Sequence, residues 1–510
     1  MASQGGDEGS QLVVDATVHP VSTEIVGQDP IDPRQYNPIL VVVAACVPAA
    51  LYMLFVVHYS VNVPLEDDWT IVPLIHSAIH GHLTFGALWA LHDENRILIP
   101  NLIFVAVGVF AHDNLRVLVV LSGVIFIASF LGLLVLVRSY QKRRMTPLLV
   151  LVLGVVWFSL NGWSGALWAF QITWYVILFL LIAMLYLLLE AKHRTAALIL
   201  AVLAAAAASF SFVQGMGLWP VGLICLAWDL PVNPRRWRRR NFAELAVWIV
   251  AGVSTILAAL WGYHYQNEAC NVGGSFQFAC SGSVISSVLH HPITTIQFLL
   301  VEMGSVVPNL HVRSLWPNGL LGAILLVAAG WVVVRSIRSR HDGRNCLPVG
   351  LLAFGFVFDV FIAAGRESFL SAGGATSTTV AMPNLIILLA ILIYGWTHLK
   401  DHYTPSLGVL LAIFLIAQLA LGTQEAISGA ISFDQRQSVA ARLVVNLDRI
   451  PESEKGCYLF YGEFGYLLFT PDVGHFVGFA DARTDHLTVF SPGLYRKYRA
   501  LGLPVIGKCK

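Results

Sequence analysis

Three carboxylates in a row, Glu66-Asp67-Asp68, stand directly after the first long apolar run of the chain and are followed at once by Trp69. Side by side they repel one another, and near a membrane surface they need water, a metal, a basic partner or a proton. One of them can act as general base toward a hydroxyl, or the set can hold a divalent cation, Mg2+ or Mn2+, against a phosphate leaving group. Trp69 fits the interfacial depth at which indole rings anchor a membrane protein. The same four residues also fit a solvated acidic cap on a span.

A second polar group, His92-Asp93-Glu94-Asn95-Arg96, closes the same loop and is followed by Pro100. Arg96 can offer a guanidinium fork to phosphate oxygens, and Glu94 or His92 can handle a proton. The alternative is a salt-bridged helix start. Between the two groups lies His76-Ser-Ala-Ile-His80-Gly-His82, in which His76 and His80 share a helical face. Zinc binding there lacks the Glu that follows the first His of a zinc protease, and no third ligand is set by spacing. An amphipathic helix along the membrane, with Ile75, Ile79 and Leu83 toward lipid, accounts for the same pattern.

Two further outer segments carry polar side chains. Trp157, Asn161, Trp163, Trp168, Gln171, Trp174 and Tyr175 straddle one turn. They read as an interface belt or, because of Asn161 and Gln171, as flat rings beside amides suited to a sugar or lipid headgroup. The loop from Gly365-Arg366-Glu367-Ser368 to Thr379 is rich in small residues, and with Arg366 its backbone amides can approach an anion. A flexible loop with one charge explains it equally. No Walker-type Gly-Lys-Ser/Thr ending and no GxGxxG that opens a helix after a strand is present, so nucleotide hydrolysis finds no support.

The elements that must position these residues are membrane spans. Of 510 residues, 57% are hydrophobic and 12% charged, against roughly 25% charged in soluble domains. Lys and Arg number 31 against 30 Asp and Glu, which removes the basic field of a nucleic-acid binder. Apolar runs of spanning length recur from Pro38 to about Gly422. The expected fold is an all-α polytopic membrane protein of about 11 crossings, rising to about 13 if residues 97–112 and 293–312 also cross. Residues 1–37 read as a disordered tail without a cleavable signal, 38–422 as the membrane domain with its first outer loop at 61–96, and 423–510 as a small α+β appendage.

Basic clusters orient the spans. Arg138 with Lys142 to Arg144, Lys192 with Arg194, Arg235 to Arg240, Arg335 to Arg344, and Lys400 are assigned to the cytoplasm. Loop 61–96 and the C-terminus then lie outside. Cys270, Cys280, Cys457 and Cys509 fall on that side, where two disulfides are expected; Cys46, Cys225 and Cys346 lie in or beside apolar runs as packing residues. In the appendage, a helix is expected near Ser438 to Leu447, with strands at Cys457–Tyr461 and His475–Phe479.

With an acidic motif after the first span, a polar motif running from His92 to Pro100, then Asn114, Arg116 and Ser122, many spans and an outer C-terminal appendage, the chain resembles the C-type (GT-C) integral-membrane glycosyltransferases. The resemblance implies a bacterial plasma-membrane enzyme. It would take sugar from a polyprenyl-phosphate donor and pass it to a glycan, lipid or protein acceptor on the outer face. It further implies that Asp67 or Asp68 activates the acceptor and that Arg96 and Arg366 hold the lipid phosphate; Glu94, by its own acid–base chemistry, is the third expected catalytic residue. Glu66, Trp69, His92, Asn161 and Gln171 complete the expected substrate contacts. Two other classes compete: a lipid or solute transporter with Glu66–Asp68 and Arg96 as its gate, Asp359 being the main ionisable residue inside a span, and a non-catalytic factor in envelope-polysaccharide assembly.

Overall fold

The computed structural model describes residues 37–65, 67–92, 95–142, 145–191, 193–228, 239–262, 288–307, 315–339, 345–366, 381–398, 405–450 and 476–504. The chain starts its first helix, α1 (Pro38–Tyr59), with Pro38 at the first helical position and Asn37 as N-cap, the Asn37 side chain accepting from the Ile39 amide. The first loop follows, with α2 (Asp68–Ile79), the short α3 (Phe85–Trp89) and a two-stranded antiparallel ladder of β1 (Leu91–His92) and β2 (Asn95–Arg96). Then come α4 (Leu98–Ala111), α5 (Leu115–Gln141), α6 (Pro147–Trp157), α7 (Trp163–Leu167), α8 (Ile172–Leu189), α9 (Arg194–Ser209), α10 (Leu218–Ala227) and α11 (Arg239–Ala259). The second half holds α12 (Pro292–Met303), α13 (Trp316–Arg338), α14 (Cys346–Arg366), α15 (Ala381–His398), the long α16 (Pro405–Val445), α17 (Phe476–Thr484) and α18 (Pro492–Leu501).

Among the described residues, eight helical segments are long and apolar enough to cross a membrane, so the chain is an all-α polytopic membrane protein. Four shorter apolar helices accompany them, among them Leu98–Ala111 and Pro292–Val306, the two pieces whose crossing the sequence left open. At 1.5 Å per residue, the 14 residues of α4 reach only about 21 Å of a roughly 30 Å hydrocarbon core. The spans differ in depth within the bundle. Most of the apolar stretch of α14 is buried inside the protein, whereas those of α11 and α13 are mostly not and turn Val250, Leu257 and Val327 outward. Such apolar outer faces are what lipid solvates.

Close helix approach depends on small residues. A Cβ added at Gly322 of α13 would stand 1.8 Å from the Leu300 carbonyl oxygen of α12, and one at Gly304 would stand 1.8 Å from the Asn318 carbonyl oxygen. Both obstacles are backbone, so neither can rotate away. Gly322→Ala is expected to lower the thermal midpoint of the purified protein, at about 1–3 kcal/mol or more for forced overpacking. Gly330→Ala, in the same helix with nothing within 4 Å of the added carbon, leaves the midpoint unchanged or slightly raised. Equal midpoints for the two variants would refute the close approach.

Two sequence expectations are corrected here. The strand expected at His475–Phe479 is not formed by its described residues, because Phe476–Thr484 is helical and docks on α2, where contact rather than β-propensity decides the backbone. The Cys457–Tyr461 run and all four cysteines expected to form disulfides lie outside the described residues. Among the described residues the C-terminal region is helical, and α16 runs unbroken from Pro405 through residue 422 to Val445. Ile75 does not face lipid. It is fully buried against Gly108 of α4, where even a methyl group would come within 2.5 Å of its side chain.

Candidate functional site

The loop after α1 is tied down by Asn62, whose carbonyl oxygen accepts from the Leu115 amide at 2.8 Å and whose amide donates to the Thr488 carbonyl at 3.3 Å. That single side chain joins the end of α1, the start of α5 and the C-terminal region. α2 opens at Asp68, whose Oδ2 accepts from the Leu65 amide at 3.0 Å. Asp68 is 5% exposed. Burial pushes its carboxyl well up, the backbone amides of Leu65 and Phe170 oppose this, and the carboxylates of Asp113 and Asp67 raise it further.

Asp67 differs from its neighbour, since a quarter of its side chain remains exposed. Its Oδ1 lies 3.9 Å from His92 Nε2, beyond a direct hydrogen bond but within reach of an ion pair or one bridging water. Thr70 orients the imidazole. Its hydroxyl donates to the Asp67 main-chain carbonyl at 2.7 Å, which leaves it to accept from His92 Nδ1 at 3.2 Å. Nε2 then faces Asp67 without its proton until the ring is charged, an arrangement in which acid and base can exchange one proton. The His92 ring packs 4.9 Å from Phe170.

Asp113 is the site residue that motif reading missed. It follows α4 in the left-handed region, φ 49°, a conformation Asp and Asn tolerate better than most side chains. It is 2% exposed, no hydrogen bond reaches its carboxylate among the described residues, and burial pushes it up to about 7. The available signal was a lone carboxylate in His112-Asp113-Asn114, next to the Asn114, Arg116 and Ser122 pattern.

The aromatic turn between α6 and α8 adjoins these acids. Trp168 Nε1 donates to the Leu65 carbonyl at 3.3 Å, while the amide of Phe170 serves Asp68. One residue on, buried Gln171 faces a narrow cleft with Tyr52, Trp157, Trp174 and Tyr175, and its Oε1 has no partner among the described residues. The hydroxyls of Tyr52 and Tyr175 meet at 3.1 Å in that cleft. Asn161 turns elsewhere, donating to the Val306 carbonyl at 2.5 Å.

Other expected residues are engaged differently. The Arg96 guanidinium donates to the carbonyls of Ala259 (3.1 Å), Trp89 and Trp261 and stacks over the Trp89 ring, so in this conformation its fork joins the first loop to the end of α11. Trp69 is buried, 6.1 Å from Phe479 of α17, rather than anchored at an interface. Glu66 and Glu94 lie outside the described residues; Arg366 ends α14, with its side chain outside them too.

His76 and His80 do share a face of the α2 turn, and what they meet is Asp485. His76 Nδ1 is 2.6 Å from one Asp485 oxygen and His80 Nε2 is 3.0 Å from the other. Burial pushes Asp485 up, but the two imidazole hydrogen bonds outweigh it and hold the carboxyl below its ordinary value. Among the described residues this is the group whose ligand atoms converge as a metal site requires; the Asp67 carboxylates do not form one. Comparison of the chain with family models, with curated proteins and with solved structures finds no match.

Proposed function

We propose that the chain is a membrane glycosyltransferase that moves a sugar from a polyprenyl-phosphate donor to a glycan, lipid or protein acceptor, as its resemblance to the GT-C enzymes implies. The observation that carries this reading is the contrast between adjacent carboxylates: a part-exposed Asp67 facing His92, backed by buried Asp68 and Asp113. A base must be reachable by a hydroxyl and able to pass its proton on, and Asp67 meets both demands while Asp68 meets neither. Asp67 accepts the acceptor's proton as that oxygen bonds to the anomeric carbon. The bond from that carbon to the phosphate oxygen breaks, and polyprenyl phosphate leaves. His92 relays the proton, and Asp68 keeps the first turn of α2 folded around Leu65.

The site's setting suits a lipid-borne substrate, because it lies at the end of the spanning helices α1 and α5 beside an aromatic turn. Gln171 and the paired tyrosines supply amide and hydroxyl groups for a sugar or headgroup.

The reading is tested in proteoliposomes supplied with polyprenyl-phosphate hexoses and pentoses together with a mixture of glycan, lipid and peptide acceptors, with released polyprenyl phosphate measured by mass. Chain-dependent release with at least one donor is expected; no release from any donor would count against transfer. Sidedness is tested at Thr84, which is exposed in the loop. In a background lacking other outer thiols, Thr84→Cys is expected to react with an impermeant thiol reagent on intact cells. Reaction only after lysis would sink an outer-face mechanism. Transport remains the second reading on account of Asp359, fully buried within α14 with both carboxyl oxygens lacking a partner among the described residues.

A further inference from the structure

We infer that His76, His80 and Asp485 form a binding site for a zinc-class transition-metal ion that fastens α2 to the region following α17. The three ligand atoms, one from each residue, all lie within 4.8 Å of one another. Two neutral imidazoles and one carboxylate are the ligand set of a borderline-soft divalent ion, Zn2+ above all, and not of Mg2+ or Ca2+, which take oxygen ligands. The spacing is favourable at both ends. His76 and His80 are four residues apart, so a turn of α2 aims them together, with ring centroids 4.4 Å apart. Asp485 is fixed from the other side by its amide, which donates to the Asp481 carbonyl at 2.9 Å and so continues the last turn of α17.

Metal–ligand bonds of about 2.0–2.1 Å in a tetrahedron separate ligand atoms by about 3.3 Å. Asp485 turns one oxygen to each imidazole, Oδ2 at 2.6 Å from His76 Nδ1 and Oδ1 at 3.0 Å from His80 Nε2, so its carboxylate stands between the two rings where either oxygen can ligate an ion once the groups open toward that spacing. Asp481 lies on the far side of the His76 ring, its Oδ1 3.9 Å from Nε2, where a carboxylate can orient a metal-binding imidazole from behind. Solvent can take the fourth position, because the His80 side chain is 44% exposed while that of Asp485 is only 6% exposed. The backbone beneath is already in register: a Cβ at Gly478 would come 2.7 Å from the Trp69 carbonyl, so α17 sits directly on α2. A metal here would clamp the helix that begins at Asp68. It stands apart from the Asp67–His92 pair and does not depend on the transfer reaction.

The experiment uses the full chain, purified in detergent without a polyhistidine tag, stripped with chelator and titrated with ZnCl2 in a calorimeter. One equivalent is expected to bind at micromolar concentration or tighter, to raise the thermal midpoint, and to persist in millimolar MgCl2. His80→Gln, on an exposed side chain, and Asp485→Asn are each expected to weaken binding at least 100-fold and to abolish the zinc-dependent rise in midpoint. His80→Gln keeps the test decisive if Asp485→Asn fails to fold. If His80→Gln binds zinc with the parent's stoichiometry and affinity, or if the parent binds no equivalent, the site is a hydrogen-bonded staple alone and the inference is overturned.

Discussion

Asp67→Asn is expected to lower the rate of sugar transfer by about 10²–10⁴-fold, the usual worth of a general base, without changing the thermal midpoint. The substitution keeps the shape of the side chain and removes its ability to accept a proton from a hydroxyl and pass it toward His92 across 3.9 Å. Asp68→Asn provides the contrast. Burial and the nearby acids favour the uncharged form of Asp68, and an Asn carbonyl can accept from the Leu65 amide as the carboxyl oxygen does. Asp68→Asn is therefore expected to keep most of the activity. Released polyprenyl phosphate, measured under single-turnover conditions, separates the two. If Asp68→Asn is as inactive as Asp67→Asn, Asp67 has been given the wrong role; if both are fully active, the loop is not catalytic.

Asp113→Asn is expected to stabilise the protein at high pH and not at low pH. Burial raises the folded-state value of Asp113 to about 7, above the roughly 3.9 of an unfolded aspartate. Between those values the folded protein keeps a proton that the unfolded chain releases, so the stability associated with the neutral carboxyl is present below about pH 4 and is lost as pH rises through 7. Three pH units correspond to at most about 4 kcal/mol at pH 8. Asn carries no such penalty and suits the positive φ of this position. Thermal midpoints in detergent at pH 4, 6 and 8 are expected to show a growing advantage of the variant over the parent. An advantage independent of pH, or a loss at pH 8, would refute a buried, ionisable Asp113.

Span positions were legible because an apolar run long enough to cross a bilayer has few other uses. The first apolar run was expected to begin at Pro38, and α1 begins there. The carboxylate motif was legible for a similar reason, since three adjacent acids beside an apolar run are chemically expensive to hold. Partners were not legible. Periodicity correctly put His76 and His80 on one face, but nothing local says that the facing residue is Asp485, or that Gly108 leaves room for Ile75 to turn inward. Arg96 looked free to bind phosphate because the carbonyls it meets at Ala259 and Trp261 belong to the end of a helix more than 160 positions away. Asp113 was overlooked because one acid in a short turn carries no pattern; what sets it apart is depth.

The contacts that hold the first loop in place also set an order in time. Asn62 waits for Thr488, and His80 waits for Asp485, partners 426 and 405 positions later in the chain. At about 5–20 residues per second, a ribosome needs roughly 20–80 s to reach them after the loop emerges. For that interval α1 and α5 are already made, yet Trp69, His76 and the acids beside them lack the surface that covers them. The nascent loop is thus a transiently incomplete structure, and its completion reports that nearly all of the intervening helices have been inserted.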